Sequence, residues 1–430
     1  MSPRTRRRFL RSSGLALGAF VTGCTSSPPV STSPTSSPAE TPTATATATD
    51  TTQFPPPEPT SAAPQDPTPM PTETDWPRFQ FDGGNTGHRP GLTAVPDDPD
   101  TYWQFFVQSS PPVVADGSLY TAERDRNHRT LVARDAATGR VQWLRTADRG
   151  GAVTHPTVVG DTLLAQSYTI LFAFDRTTGD QRWELDIGQG SPGSPVVVDG
   201  TAYLANGSYA SGPSEAFAVD VTTGEEQWRV ELGSGMPHLR GSVAVADGSV
   251  FVVDGDLVAL DVTDGSERWR VTFDAPAETT PTTADGMVYV TDTTGTLHAV
   301  SAADGTEQWA ADVGEPVRGT AAAVADDEVY VGTESGLVAL TTGGSDRWQF
   351  SLSRATSPTV GTDAVYVGGQ GFESPSAFAL DRETGKRRWR YATAEKAISD
   401  YVQAGVRGPP TLVEGGVYVV AADGMHALGR

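Results

Sequence analysis

Arginine followed by glycine occurs three times just before one level of an internal repeat, as Arg240-Gly241, Arg318-Gly319 and Arg407-Gly408. A guanidinium presents its N–H donors as a planar fork, so several converging on one place would bind a carboxylate, a phosphate or an acidic peptide. Immediately after them, aligned copies of the repeat place Pro111, His155, Ser194, Ser242, Thr280, Ala321, Ser357 and Pro409 at one level. The competing reading is structural: each arginine pairs with a nearby carboxylate and stabilises a junction between repeats. Both readings are expectations for the structure to separate, with Arg240, Arg318, Arg407 and His155 as the candidate ligand-binding set.

Other chemistries are poorly provided for. The six histidines (His88, His128, His155, His238, His298 and His426) lack the spacing of a metal site. There is no Gly-x-Ser-x-Gly elbow, so no catalytic residue is assigned. Asp-rich turns such as Asp261-Val262-Thr263-Asp264-Gly265 offer one or two carboxylates each, too few for the six to eight oxygens that calcium takes. No metal site is expected.

Charge narrows the partners. The chain has 53 acidic and 31 basic residues, a formal net charge of −22, and only two lysines, Lys386 and Lys396. Such a field repels a phosphate backbone, which excludes nucleic acid. An acidic, lysine-poor surface also suits concentrated salt, where screening mutes its self-repulsion, and a halophilic source is expected.

Residues 1–23 read as an export signal. Thr5-Arg6-Arg7-Arg8-Phe9-Leu10-Arg11 resembles a twin-arginine motif, and Leu15 to Val21 form an apolar run too short to span a bilayer. Val21-Thr22-Gly23-Cys24 resembles a lipobox, which makes Cys24, the single cysteine, the expected lipidation site. From 24 to 74 the chain is rich in Thr, Ser, Pro and Ala with few large apolar residues. It cannot bury enough surface to offset ordering entropy, and a disordered stalk is expected. The body, 75–430, would then face outward from the cell membrane on a lipid anchor.

What must position the arginines is a repeat of about 40 residues. Trp103, Trp143, Trp183, Trp228, Trp269, Trp309, Trp348 and Trp389 are spaced by 40, 40, 45, 41, 40, 39 and 41 residues. Seven of them close a common phrase, clearest in Phe174-Asp175-Arg176-Thr177-Thr178-Gly179-Asp180-Gln181-Arg182-Trp183 and in Leu380 to Trp389. Between phrases lies a short strand, an Asp-Gly turn and an alternating strand, as in Ala284-Asp285-Gly286-Met287-Val288-Tyr289-Val290. Each unit reads as four short antiparallel strands joined by tight turns, with Gly supplying positive φ.

A sheet this small cannot bury both faces alone, whereas eight packed around an axis can. The last copy stops at Ala427-Leu428 without its tryptophan, while Trp103 has no phrase before it. These defects complement each other. The prediction is an all-β, eight-bladed β-propeller of four-stranded blades, closed by the N-terminal strand and monomeric. Asp135, Asp175, Asp220, Asp261 and Asp381 should accept turn N–H groups. Asn206-Gly207-Ser208 is a candidate glycosylation sequon.

The phrase Ala-x-Asp-x-x-Thr-Gly-x-x-x-Trp resembles the repeat of the PQQ-binding-like (quinoprotein-type) β-propeller family, over about 75–430. In layout the chain is similar to the family's outer-membrane assembly lipoproteins. The segment Asp75-Trp76-Pro77-Arg78-Phe79-Gln80-Phe81-Asp82-Gly83-Gly84-Asn85-Thr86-Gly87 also looks like the family's leader before the first blade. The resemblance implies that each tryptophan docks on the Gly-bearing turn of a neighbouring blade. Departures are Leu340-Thr341-Thr342-Gly343-Gly344, which lacks the Asp, Ser301 in place of Asp, and Arg134 in place of an apolar residue.

Quinone-dependent dehydrogenases of the family typically use a disulfide of adjacent cysteines, and many add a Cys-x-x-Cys-His haem site. Cys24 alone can build neither. The resulting expectation is a binding or scaffold module for envelope or secreted proteins and peptides. The alternative is a PQQ-dependent dehydrogenase holding PQQ with Ca²⁺, or a sugar or anion sensor, using the axial channel.

Overall fold

The computed structural model describes residues 69–71, 74–93, 95 and 97–429, apart from 126–127, 147–155, 168, 189, 191–192, 208–213, 234–241, 371–374, 395 and 399–400. For 125, 128–129, 396–398 and 401–403 it describes the backbone alone. Cys24, His155, Arg240 and most of the stalk lie outside the described residues.

Strands pair in sequence order into eight antiparallel blades, and no helix occurs among the described residues. The innermost strands are Val113–Ala115, Thr157–Val159, Val196–Val198, Ala244–Ala246, Thr282–Ala284, Ala323–Ala325, Thr359–Val360 and Thr411–Val413. They define blades 1 to 8. Blade 8 takes its outermost strand, Asp100–Phe105, from the other end of the sequence, where it pairs with Gly424–Gly429. This closure leaves no free sheet edge at the seam for another chain to pair with. Blade 1 carries an extra two-residue strand, Gln108–Ser109, and Lys396–Ile398 pairs with Tyr401–Gln403 as a separate hairpin.

Local chemistry accounts for the turns. The inner hairpins turn through two left-handed residues, such as Asp116 (φ 45) and Gly117 (φ 71), or Asp285 (φ 49) and Gly286 (φ 74). Two-residue loops of that hand match the strand twist, and Asp-Gly tolerates them. At the other tight turn a carboxylate accepts backbone N–H groups: Thr138 donates to Asp135 at 2.8 Å, Thr223 to Asp220 at 2.8 Å and Thr384 to Asp381 at 2.9 Å.

Between blades, one tryptophan recurs as the wedge. Each stands opposite an alanine of the adjoining strand, as in Ala133↔Trp143, Ala259↔Trp269 and Ala379↔Trp389, and the small partner leaves room for the ring. Seven indoles donate Nε1–H to a turn carbonyl of the next blade, from Trp103 to Ala136 at 3.3 Å through Trp309 to Thr342 at 2.8 Å and Trp348 to Arg382 at 2.9 Å. The ring then lies so close to the turn glycine that a Cβ on Gly385 would sit 2.5 Å from Trp348 Cδ2. Buried clusters bridge each pair of neighbouring blades, for example Val196, Trp228 and Val250 between blades 3 and 4. Burial of this apolar area is the main force holding the ring together.

Two sequence features receive a physical account. Arg134 replaces an apolar residue because Glu123 meets it in the junction, with Nε–Oε1 and Nη2–Oε2 both at 2.9 Å, while its guanidinium lies 4.7 Å from the Phe105 ring. The Asn206 sequon is overturned as a glycan site. Asn206 is buried, and its amide donates to the Ile187 carbonyl at 2.9 Å while accepting from Gln166.

Candidate functional site

Antiparallel connectivity sorts the loops onto two faces. The Asp-Gly hairpins and the tryptophan-docking turns fall on one, here the turn face. The segments leading into each innermost strand fall on the other, the loop face. Arg318, Arg354 and Arg407 lie in those lead-in segments, in consecutive blades 6, 7 and 8.

The axis is closed near the turn face by the leader. Innermost strands have N–H groups facing the axis with no further strand to receive them, and buried backbone donors need acceptors. The leader supplies these in order around the ring. Val114 donates to Trp76 O at 2.9 Å, Val158 to Pro77 O, Val245 to Gly83 O and Thr283 to Gly84 O at 2.8 Å each, Val324 to Thr86 O at 2.9 Å and Val360 to Gly87 O at 2.8 Å. Curling this tightly puts Gln80, Phe81 and Asn85 at positive φ. Gly84 is needed by proximity, since a Cβ there would meet Thr283 O at 2.3 Å. Gly83-Gly84 was the signal in the sequence that a backbone passes close by, though nothing local said which one.

Side chains of the leader fill the axis. Asn85 is fully buried, donating to Val243 O at 2.8 Å and Pro281 O at 2.9 Å. Gln80 reaches the opposite side, donating to Pro358 O at 3.3 Å. Arg78 donates from Nη2 to Asn85 Oδ1 at 2.9 Å.

Hydroxyls along the innermost strands stitch one blade to the next. Thr157 donates to Pro195 O at 2.8 Å, Ser242 to Ser194 O at 2.7 Å, Thr359 to Pro410 O at 2.7 Å and Thr411 to Pro112 O at 2.8 Å. Of the level picked out in the sequence, Ser242 and Thr280 donate such bonds, and Ser357 Oγ accepts one from the Ala321 N–H. They act as inter-blade ties.

The arginines differ in state. Arg318 is exposed and ion-paired through Nε to Glu278 Oε1 at 2.8 Å. Arg354 is also exposed, with Nε 3.3 Å from Glu334 Oε2, and its backbone is left-handed (φ 52). Sequence reasoning missed Arg354 because alanine, not glycine, follows it. Arg407 is exposed, and among the described residues no carboxylate pairs with it. The protein packed about its base lowers its pKa from the ordinary value. The three form a cationic arc with Arg407 as the unpaired member.

The described residues do not fit PQQ with Ca²⁺. No group of three or more His, Cys, Asp or Glu side chains converges among them. The hydroxyls of Thr157, Ser242, Thr280, Thr359 and Thr411 near the axis already bridge blades, and one end of the channel is filled by the leader.

The family model described as outer membrane protein assembly factor BamB matches residues 93–212, 212–357 and 337–429. The chain belongs to this family. Among solved structures it is similar to BamB from Moraxella catarrhalis, at 17% identity and a TM-score of 0.59, covering 79% of this chain and 99% of that one. It is also similar to quinohemoprotein alcohol dehydrogenase from Comamonas testosteroni, at 14% identity and a TM-score of 0.68, covering 84% and 81%. A third is the computationally designed Ika8 protein, at 16% identity and a TM-score of 0.60, covering 76% and 97%. At these identities the likeness is one of fold. No curated protein matches the sequence.

Proposed function

We propose that this member of the BamB family is an extracytoplasmic binding or scaffold module, held to the cell membrane by a lipid on Cys24. The stalk of residues 24–74 would carry the propeller outward after twin-arginine export, in a salt-rich setting suited to its acidic surface. Its partners are envelope or secreted proteins and peptides, met by a monomeric propeller on the loop face. Arg407, with Arg318 and Arg354 beside it in the ring order, would engage an acidic segment of the partner, and Arg240 and His155 belong to the same set.

The observation that carries this reading is the leader plug. With one end of the axis filled by Asn85, Gln80 and Arg78, the exposed Arg318, Arg354 and Arg407 on the loop face are the groups left to meet a partner. A rim cation adds mainly orientation and association rate, and a desolvated one adds more.

The test is capture from intact envelopes with the full lipidated protein, comparing wild type with Arg407→Glu and Arg318→Glu. A partner retained by wild type and released about tenfold more readily by the variants supports the proposal. The rival reading is tested on the same sample by adding PQQ and Ca²⁺. A bound chromophore with dye-linked alcohol oxidation would replace the scaffold with an enzyme.

A further inference from the structure

Among the described side chains at the axis, Arg78, Gln80 and Ser194 each keep a buried polar atom without a partner, and Arg78 alone of these is charged. It is 4% exposed, and of its guanidinium only Nη2 has an acceptor, Asn85 Oδ1. Nε and Nη1 are sealed from solvent and have no partner among the described residues. Asn85 Oδ1 accepts from Nη2 alone, and the amide is held in that orientation because its nitrogen donates to Val243 O and Pro281 O. Asp82 raises the Arg78 pKa through space, but both its oxygens accept from Thr86, at 2.9 and 2.5 Å. Burial outweighs that help and lowers the guanidinium to about 10, still cationic at neutral pH. A buried charge with open donors calls for a compensating charge within reach.

We infer that the axis of the propeller holds a small monovalent anion of the halide class against Nε and Nη1 of Arg78. The choice of class follows from the site. One positive charge matches one negative charge. A halide accepts from donors at any angle and brings no oxygen of its own needing further donors. Arg78 lies beside the buried side chains Gln80 and Asn85, a setting that favours a small ligand over an extended carboxylate. An anion here would also fasten the leader, whose carbonyls cap the innermost strands, so that halide would strengthen the seal at the turn face. This site is separate from Arg318, Arg354 and Arg407 and does not rest on the function proposed above.

The experiment has two arms on the full chain. Crystals grown or soaked in sodium bromide are measured at the bromine edge. An anomalous peak within hydrogen-bond distance of Arg78 Nε or Nη1 supports the site. No peak there, with ordinary water density bridging Arg78 to the free Oε1 of Gln80, overturns it. Thermal unfolding is then followed in potassium chloride and in potassium gluconate at equal ionic strength, gluconate being too bulky to enter. Wild type should melt about 1–2 °C higher in chloride, the shift expected for a ligand present at several times its Kd in a domain of this size. Arg78→Met should abolish that difference. Equal melting of wild type in both salts overturns the proposal, and the bromide arm decides it if the variant does not fold.

Discussion

Trp103 stands directly opposite Ala427, so the first tryptophan of the repeat is held by the last strand of the chain. The same indole donates to Ala136 O of blade 1 and packs 5.6 Å from the Tyr418 ring. It therefore joins the terminal strand, blade 8 and blade 1 at once. Trp103→Ala should cost about 3–5 kcal/mol, the range for deleting a large buried aromatic. Denaturant unfolding should show it as a lowered midpoint.

Trp389 is the exception among the eight. Its Nε1 is buried without an acceptor, because the turn that serves the other seven would have to lie between Gly429 and Asp100, where the circular order has its break. Leu92 and Val95 pack beside it there. Trp389→Phe should accordingly be nearly neutral in hydrogen-bonding terms, whereas Trp348→Phe loses its bond to Arg382 O and strands that carbonyl. Chemical denaturation should rank Trp348→Phe below Trp389→Phe by about 1 kcal/mol.

The Arg134–Glu123 pair is shielded on both sides, with side-chain exposures of 8% and 7%. Breaking one partner leaves an uncompensated buried charge, so Glu123→Gln should destabilise by about 3–5 kcal/mol. Replacing both, as Glu123→Leu with Arg134→Leu, should restore much of the loss. Calorimetric melting of the two variants checks the ordering.

Two turn glycines separate strain from collision. Gly286→Ala meets nothing within 4 Å and bears only the cost of φ 74, about 1 kcal/mol. Gly385→Ala has a similar φ of 68 but drives a methyl into Trp348. It should be the more damaging by at least about 2 kcal/mol, with altered near-ultraviolet circular dichroism from the displaced indole.

Asp261 gives a pH signature. Hydrogen bonds from Arg268, then from Thr263, hold its carboxyl down at about 2, below the unfolded value of about 4. Because the folded pKa is the lower, this contribution is full above about pH 4 and is lost as pH falls through 2. The melting difference between wild type and Asp261→Asn should be constant near neutrality and shrink across that window.

Sequence alone determined the eight blades, their four-strand make-up and the closing role of the strand carrying Trp103. These follow from short-range rules, alternation within strands, Asp-Gly at left-handed turns and one wedge per 40 residues, repeated often enough to count. It also marked Arg318 and Arg407, since an Arg-Gly pair comes just before the inner-strand level in each of those blades. Only the tertiary structure decided that Arg354 belongs with them, that Glu278 pairs with Arg318 and Glu334 with Arg354, and that Arg407 has no carboxylate partner among the described residues. It alone placed the leader in the axis, joining Asn85 to Pro281 and Gln80 to Pro358, and hid Asn206 beside Gln166. Such contacts arise from closing a circle, which brings together residues hundreds of positions apart, and no local period in a sequence encodes a meeting at the axis.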